Sequence, residues 1–179
     1  MKGLLLKHAQ LTATELSDVG TTKVHALGSL YDTWDGTIGR QVWRYIFNDE
    51  ASTAFAAGTV LKWDVGTSPK LGDAIVAPVN TPRNGLCGVA QHAIAAGSYG
   101  WVLVQGQGLV LAGTETIDLD MGVYVSSAVV GCGANATQKV TAERTSANQS
   151  EEGLAGPFAW ASADAASTAT ALCLIDIPL

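Results

Sequence analysis

Residues 88 to 108 read Gly88-Val-Ala-Gln-His-Ala-Ile-Ala-Ala-Gly-Ser-Tyr-Gly-Trp-Val-Leu-Val-Gln-Gly-Gln-Gly108. Two apolar runs flank a turn from Gly97 to Gly100, which encloses an aromatic residue. Beyond the turn, Trp101, Leu103 and Gln105 fall on one side of an extended chain and Val102 and Val104 on the other, because successive strand residues alternate faces. A strand apolar on both sides predicts the interior of a sandwich or barrel. The run contains no catalytic constellation.

Reading outward, Arg40 to Phe47 alternates Gln41, Trp43, Tyr45 and Phe47 against Arg40, Val42, Arg44 and Ile46, and Asn48-Asp49-Glu50 stops it. Thr59 to Asp64 and Ala74 to Val79 are further strands, separated by the turn chemistry of Gly66-Thr67-Ser68-Pro69 and Leu71-Gly72-Asp73. Leu109 to Ala112 continues the sheet. Met121 to Val130 is rich in β-branched residues and reads as one long strand. Thr137 to Ala142 alternates, Thr145 to Gly153 is a polar loop, and Ala169 to Ile177 is a core strand stopped by Pro178. Ala51 to Ala57 offers one or two helical turns, capped by Asp49 or Ser52 and ended by Gly58. About nine or ten short strands at this spacing, without an amphipathic helix of normal length, predict an all-β fold: a single sandwich or barrel of short antiparallel strands with little helix. No sequence repeat of fixed period is visible, which disfavours a solenoid or propeller.

From Met1 to about Leu30 neither periodicity holds, beyond one short strand over Thr22 to Leu27. Residues 1–30 read as an extended N-terminal arm and residues 31–179 as a single β domain, the size expected of one core. Ordering such an arm costs on the order of 1–2 kcal/mol per residue, so it needs a surface to lie on. Leu4, Leu5 and Leu6 are its candidate contact residues, and a terminus without order is the alternative.

Ten basic against sixteen acidic residues give a formal charge of −6. No stripe of Lys or Arg provides the counterion release that holds nucleic acid, so no direct nucleic-acid partner is expected. Charged residues make up 15% of the chain and apolar residues 47%, against about 25% charged in ordinary domains. A surface so poorly charged points to burial against other subunits; a secreted or surface β protein rich in Ala, Ser and Thr is the plainer alternative. Met1 to His8 lacks a signal-peptide core, since Lys7 and His8 interrupt it. No stretch is long enough to cross a bilayer, so no membrane partner is expected and the site of synthesis reads as cytoplasmic.

Cys87, Cys132 and Cys173 are odd in number and widely spaced, which predicts three buried thiols rather than a disulfide framework or a zinc knuckle. Of His8, His25 and His92, only His92 is placed to be half-buried, and a core or interface histidine satisfied by a carbonyl is the simplest role for it. No Gly-x-Ser-x-Gly elbow supports a hydrolase. Asp118 and Asp120 with Glu115, or Asp32 with Asp35, read as solvated turn carboxylates rather than calcium ligands, because calcium takes six to eight oxygens. Gly131-Cys132-Gly133-Ala134-Asn135-Ala136, with Glu151 downstream, matches a dinucleotide fingerprint in letters, but the alternating residues that follow predict a strand where a helix N-terminus is required. No catalytic residue, metal or cofactor is assigned. Trp43, Trp63 and Trp101 fall in predicted strands and read as core, while Trp34, in the Tyr31–Gly36 segment read as a loop, is a candidate contact residue.

The Gly88–Gly108 run resembles one found in decoration, or cement, proteins of tailed bacteriophages, in which a Gly-Val-Ala segment leads through Ala-Ala-Gly-x-Tyr-Gly into an aromatic and valine-rich strand. Arg44 to Phe47 and Ala57-Gly58-Thr59-Val60-Leu61 add weaker similarity. The resemblance implies a virion structural protein on the outer capsid surface, made in the host cytoplasm. It further implies a homotrimer whose partner is the major capsid protein and whose binding stabilises the assembled shell. Two other classes compete. One is a glycan- or receptor-binding module of a head fibre, tail or cell surface acting through Trp34, and the other is a β-sandwich hydrolase.

Overall fold

A computed structural model describes residues 13–65, 72–79, 81–114, 116–120, 122–126, 129–135, 157–166 and 168–179. They form one short α-helix, α1 (Ala13–Ser17), a single 3-10 turn (Arg83–Gly85) and ten strands: β1 (Leu30–Asp35), β2 (Gly39–Asn48), β3 (Val60–Trp63), β4 (Asp73–Val76), β5 (Leu86–Ala90), β6 (Tyr99–Leu111), β7 (Gly122–Val125), β8 (Gly133–Asn135), β9 (Ala159–Ala161) and β10 (Thr170–Asp176). The fold is all-β, with the strands joined in one sheet. That sheet closes on itself twice.

In the first closure β2 pairs with β4, β4 with β3, β3 with β5, β5 with β6, and β6 returns to β2. The β2–β4 contact is parallel, at Phe47↔Asp73 and Asn48↔Ala74, in a fold otherwise expected to be antiparallel. Ile46, Phe55, Leu61, Ala74, Cys87, Ala90, Ile94 and Val102, drawn from all five strands and two loops, form one buried cluster that fills this ring. The second ring repeats the plan with β6 in the role of β2. β10 pairs with β6, β9 with β10, β7 with β9 and β8 with β7, and a parallel bridge at Ala112↔Gly133 completes the circuit.

The correspondence extends to single hydrogen bonds. Phe55 and Ile94 exchange backbone hydrogen bonds in both directions, as do Ile117 and Ala165. The Gly58 amide donates to the Ala90 carbonyl as that of Asp120 does to Ala161, and Asn48 donates to Ser98 as Ala112 does to Ala169. Equivalent core positions are filled with complementary sizes: Phe55 and Cys87 in the first ring stand where Ile117 and Phe158 stand in the second, so each ring holds one large aromatic at a different place. Native packing density requires this kind of exchange.

Several expectations change. Ala51 to Ala57 is not helical: the buried Asn48 donates through Nδ2 to the carbonyls of Thr53 and Ile94, both at 3.0 Å, and Phe55 is tied to the sheet. Thr22 to Leu27 makes no strand; it crosses the first ring, where Val24 donates its amide to the Tyr45 hydroxyl at 3.3 Å. The strand expected over Met121 to Val130 stops at Val125, because Ser126 donates to the Cys132 carbonyl and its hydroxyl accepts from Val129, turning the chain back into β8. Residues 31–36 are strand β1 and its turn rather than a loop, paired with β2 from Leu30↔Arg44 to Asp35↔Gly39. The alternation after Gly100 also breaks. Val42 pairs with Gln105 and Trp43 with Leu103, a bulge that turns Val104 toward the cluster of Trp101 and Leu103 and away from that of Val102. Thr137 to Ala142 and Thr145 to Gly153 lie outside the described residues.

Candidate functional site

Where β1 and β2 approach β6 and β10, a groove of about 480 Å³ opens, lined by Leu16, Ser17, Thr33, Trp34, Ile38, Gln41, Trp43, Gln91, His92, Gln107 and Leu172. None of these side chains is a carboxylate, a lysine or an arginine. Much of the polar lining is already committed. Gln91 accepts from the Leu109 amide at 2.7 Å and donates to its carbonyl at 3.1 Å, imitating a strand partner. The Trp43 indole donates to Thr33 Oγ1, and Gln41 donates to the Gln107 carbonyl at 2.8 Å. His92 differs, since its Nε2 is buried without a hydrogen-bond partner, so the carbonyl expected to satisfy it is absent at that atom. Burial pulls the imidazole below its usual pKa, which keeps it neutral at pH 7. Trp34 is 72% exposed, and Leu4, Leu5 and Leu6 lie outside the described residues.

A second cleft, of about 300 Å³, lies between residues 15–25 and the first ring. Its floor is aromatic. His25 sits with its ring centroid 5.1 Å from both Tyr45 and Trp101, and Tyr45 stacks on Tyr99 at 6.1 Å. His25 is therefore half-buried as well as His92. Nothing in the sequence near His25 shows this, because its partners come from β2 and β6.

Arg44 is the least expected residue of the interior. Burial of the β2 face carries its guanidinium inside, where it donates to the carbonyls of Cys87 at 3.0 Å and Pro178 at 3.3 Å and lies 5.2 Å over the Trp63 ring. Desolvation lowers its pKa. Cys87, Cys132 and Cys173 are free, buried thiols, and desolvation pushes Cys87 and Cys173 up to about 12. Among the described residues no three His, Cys, Asp or Glu side chains come together as a metal site. Asp32 instead pairs with Arg40 at 2.8 Å, and Gly133 to Asn135 is a strand where a nucleotide-binding helix would have to start. Among the described residues no helix is long and apolar enough to cross a membrane.

No protein-family model matches the sequence, and no curated protein does. Among solved structures, the chain is similar to the head fibre gp8.5 N base of bacteriophage phi29, at 12% identity over 78% of this chain and 98% of that chain, with a TM-score of 0.46. At that distance the likeness carries no statement about what this chain does.

Proposed function

We propose that this protein is a structural component of a tailed-phage particle, a decoration protein that seats on the outer capsid surface as a homo-oligomer and stabilises the assembled shell. The observation that carries the reading is the placement of large apolar side chains on the outside of regular strands: Trp34 on β1, Trp160 on β9, and Leu172 and Leu174 on β10 are all exposed. A chain with so few charges leaves these groups facing water unless another surface covers them. The resemblance of residues 88 to 108 to cement proteins supports the lattice of a major capsid protein as that surface. A protein that binds the lattice but not free subunits adds its binding free energy to lattice stability. Three linked feet turn modest contacts into lasting attachment, each binding at the effective concentration set by the others. Co-sedimentation with intact shells tests this. Saturable binding that raises the temperature of shell disruption is expected, and a protein left in the supernatant at all concentrations refutes it. Deleting residues 1–17 in the same assay is expected to lower occupancy.

The groove favours a second reading, a neutral glycan as ligand. An exposed indole, the unpartnered Nε2 of His92 and the absence of charged groups suit a sugar ring that stacks on one face and hydrogen-bonds at its edge. A glycan array run with wild type and Trp34→Ala checks it, with binding expected for neutral sugars and lost in the variant; an array blank for wild type ends this reading.

A further inference from the structure

The duplicated ring provides an internal control for the outer surface. Val89 pairs with Leu103 and Ala90 with Val102 in the first ring, just as Trp160 pairs with Leu174 and Ala161 with Cys173 in the second. Trp101, Leu103 and Val89 therefore correspond to Leu172, Leu174 and Trp160. The first trio is buried, at 4%, 0% and 0% exposure, while the second is open, at 37%, 54% and 52%. Protein covers the first: the rings of His25 and Tyr31 lie against Trp101. The bend of β6 covers Leu103, close enough that a Cβ added at Gly108 would fall 2.4 Å from its Cδ2. The second trio has the same apolar chemistry at the same place in the same plan, and no described residue covers it.

We infer that copies of this chain meet through the outer face of β9 and β10, with Trp160 and Leu174 at the centre of the contact and Leu172 at its edge. The occupant is a second copy because the equivalent face of the first ring is satisfied by apolar and aromatic groups of this same chain, and the exposed row offers groups of that kind, an indole and two leucines with no charge among them. Around a threefold axis one such uncharged patch from each copy meets those of the other two, so the surface is completed without a charged partner. The side chains that surround an indole and two leucines in such a contact would be further indoles and leucines, and buried aromatics of this kind dominate association energetics. This inference rests on the homo-oligomeric part of the proposed function and names the surface that part requires.

Sedimentation equilibrium of the full chain tests it. Wild type is expected to run as an oligomer. Trp160→Glu and Leu174→Glu are expected to weaken association by about 100-fold or more, since each buries a carboxylate without a partner. Val24→Glu, at an exposed position away from the face, is expected to leave the mass unchanged. Circular dichroism and thermal melting guard against misfolding, and a positive assay complements the loss. Leu174→Cys should be joined to a second chain by a short bismaleimide, because the three native thiols are buried. A monomeric wild type overturns the inference, as does an oligomer that survives both glutamates and resists cross-linking. The latter result leaves self-association standing and removes only this face. A monomer that still binds shells leaves the decoration reading standing without its self-association.

Discussion

Arg44 is a cation held by two carbonyl oxygens and an indole face, with no carboxylate shown beside it among the described residues. Removing it strands the buried Cys87 carbonyl, loses the partly buried bond to the Pro178 carbonyl and opens a cavity, the stranded acceptor and the cavity each costing about 1–3 kcal/mol. Arg44→Ala is therefore expected to lower the unfolding free energy by about 3 kcal/mol in urea titration. Arg44→Met, which fills the space and removes the charge that had to be desolvated, is expected to cost less. The sequence shows Arg44 on a face with Val42 and Ile46, but its burial depends on β5 and the residues after β10, whose approach no local pattern encodes. The thiols carry a pH signature of their own. Cys87 and Cys173 are raised to about 12 in the fold against about 8.5 in an unfolded chain. Unfolding therefore releases protons above the lower value. The stability these neutral thiols contribute is complete below about pH 8.5 and falls as pH rises toward 12, by up to about 1.4 kcal/mol per pH unit for each group. Cys87→Ala should flatten that alkaline decline in urea titrations repeated across this range.

At the level of elements, the turns that enter the inner strands repeat with different residues. Ser29, Thr59, Ser98 and Ala169 each donate an amide to the carbonyl three residues back, closing turns whose third residue has positive φ: Gly28, Gly58, Gly97 and Thr168. Asp120, at φ 62°, occupies the place of Gly58 in the second ring, and Thr168, at φ 63°, that of Gly97. A β-branched residue is strained in this region by about 1–2 kcal/mol. Thr168→Gly is expected to raise the melting temperature, reflecting about 1 kcal/mol of stabilisation after the entropy cost of glycine. Gly106 is the opposite case. Its φ is 109° and an added Cβ would lie 2.4 Å from the Arg40 carbonyl oxygen, so Gly106→Ala combines backbone strain with a clash against β2 and is expected to cost about 3 kcal/mol by thermal unfolding. These turns also explain what could be read in advance. Gly97 announced the β5–β6 hairpin. The second copy of the plan was hidden because Asp120 and Thr168 replaced the glycines and because the loops between equivalent strands differ in length. β1 reads as a loop because Asp32 and Asp35 give Leu30 to Asp35 the polarity of one, and β8 and β9 carry no signal because three residues show no period. The groove could not have been assembled from sequence, as α1, β1, β2, β6, β10 and the loop after β5 each supply part of it; only the exposure of Trp34 was legible.

For the whole molecule, the decisive contrast is between an interior that repeats and a surface that does not. Two rings share β6 and one strand plan around separate cores, yet the outward row of Val89, Trp101 and Leu103 in the first is buried while the matching row of Trp160, Leu172 and Leu174 in the second meets solvent. The low charge visible in the composition pointed to a covered surface, and the fold locates the apolar face that most needs covering. Charges do surround it: Asp176, at the end of β10, holds Arg83 at 2.5 Å and Gln105 at 3.2 Å. That acid is already neutralised within its own chain, leaving little electrostatic contribution to association. An interface held by apolar contact should ignore screening but respond to salts that strengthen burial. The oligomer mass measured by sedimentation is therefore expected to stay constant from about 50 mM to about 500 mM sodium chloride and to shift toward the associated form in sodium sulfate. Dissociation on adding sodium chloride would instead place ion pairs at the contact, and the uncharged face of β9 and β10 could not then be what joins the copies.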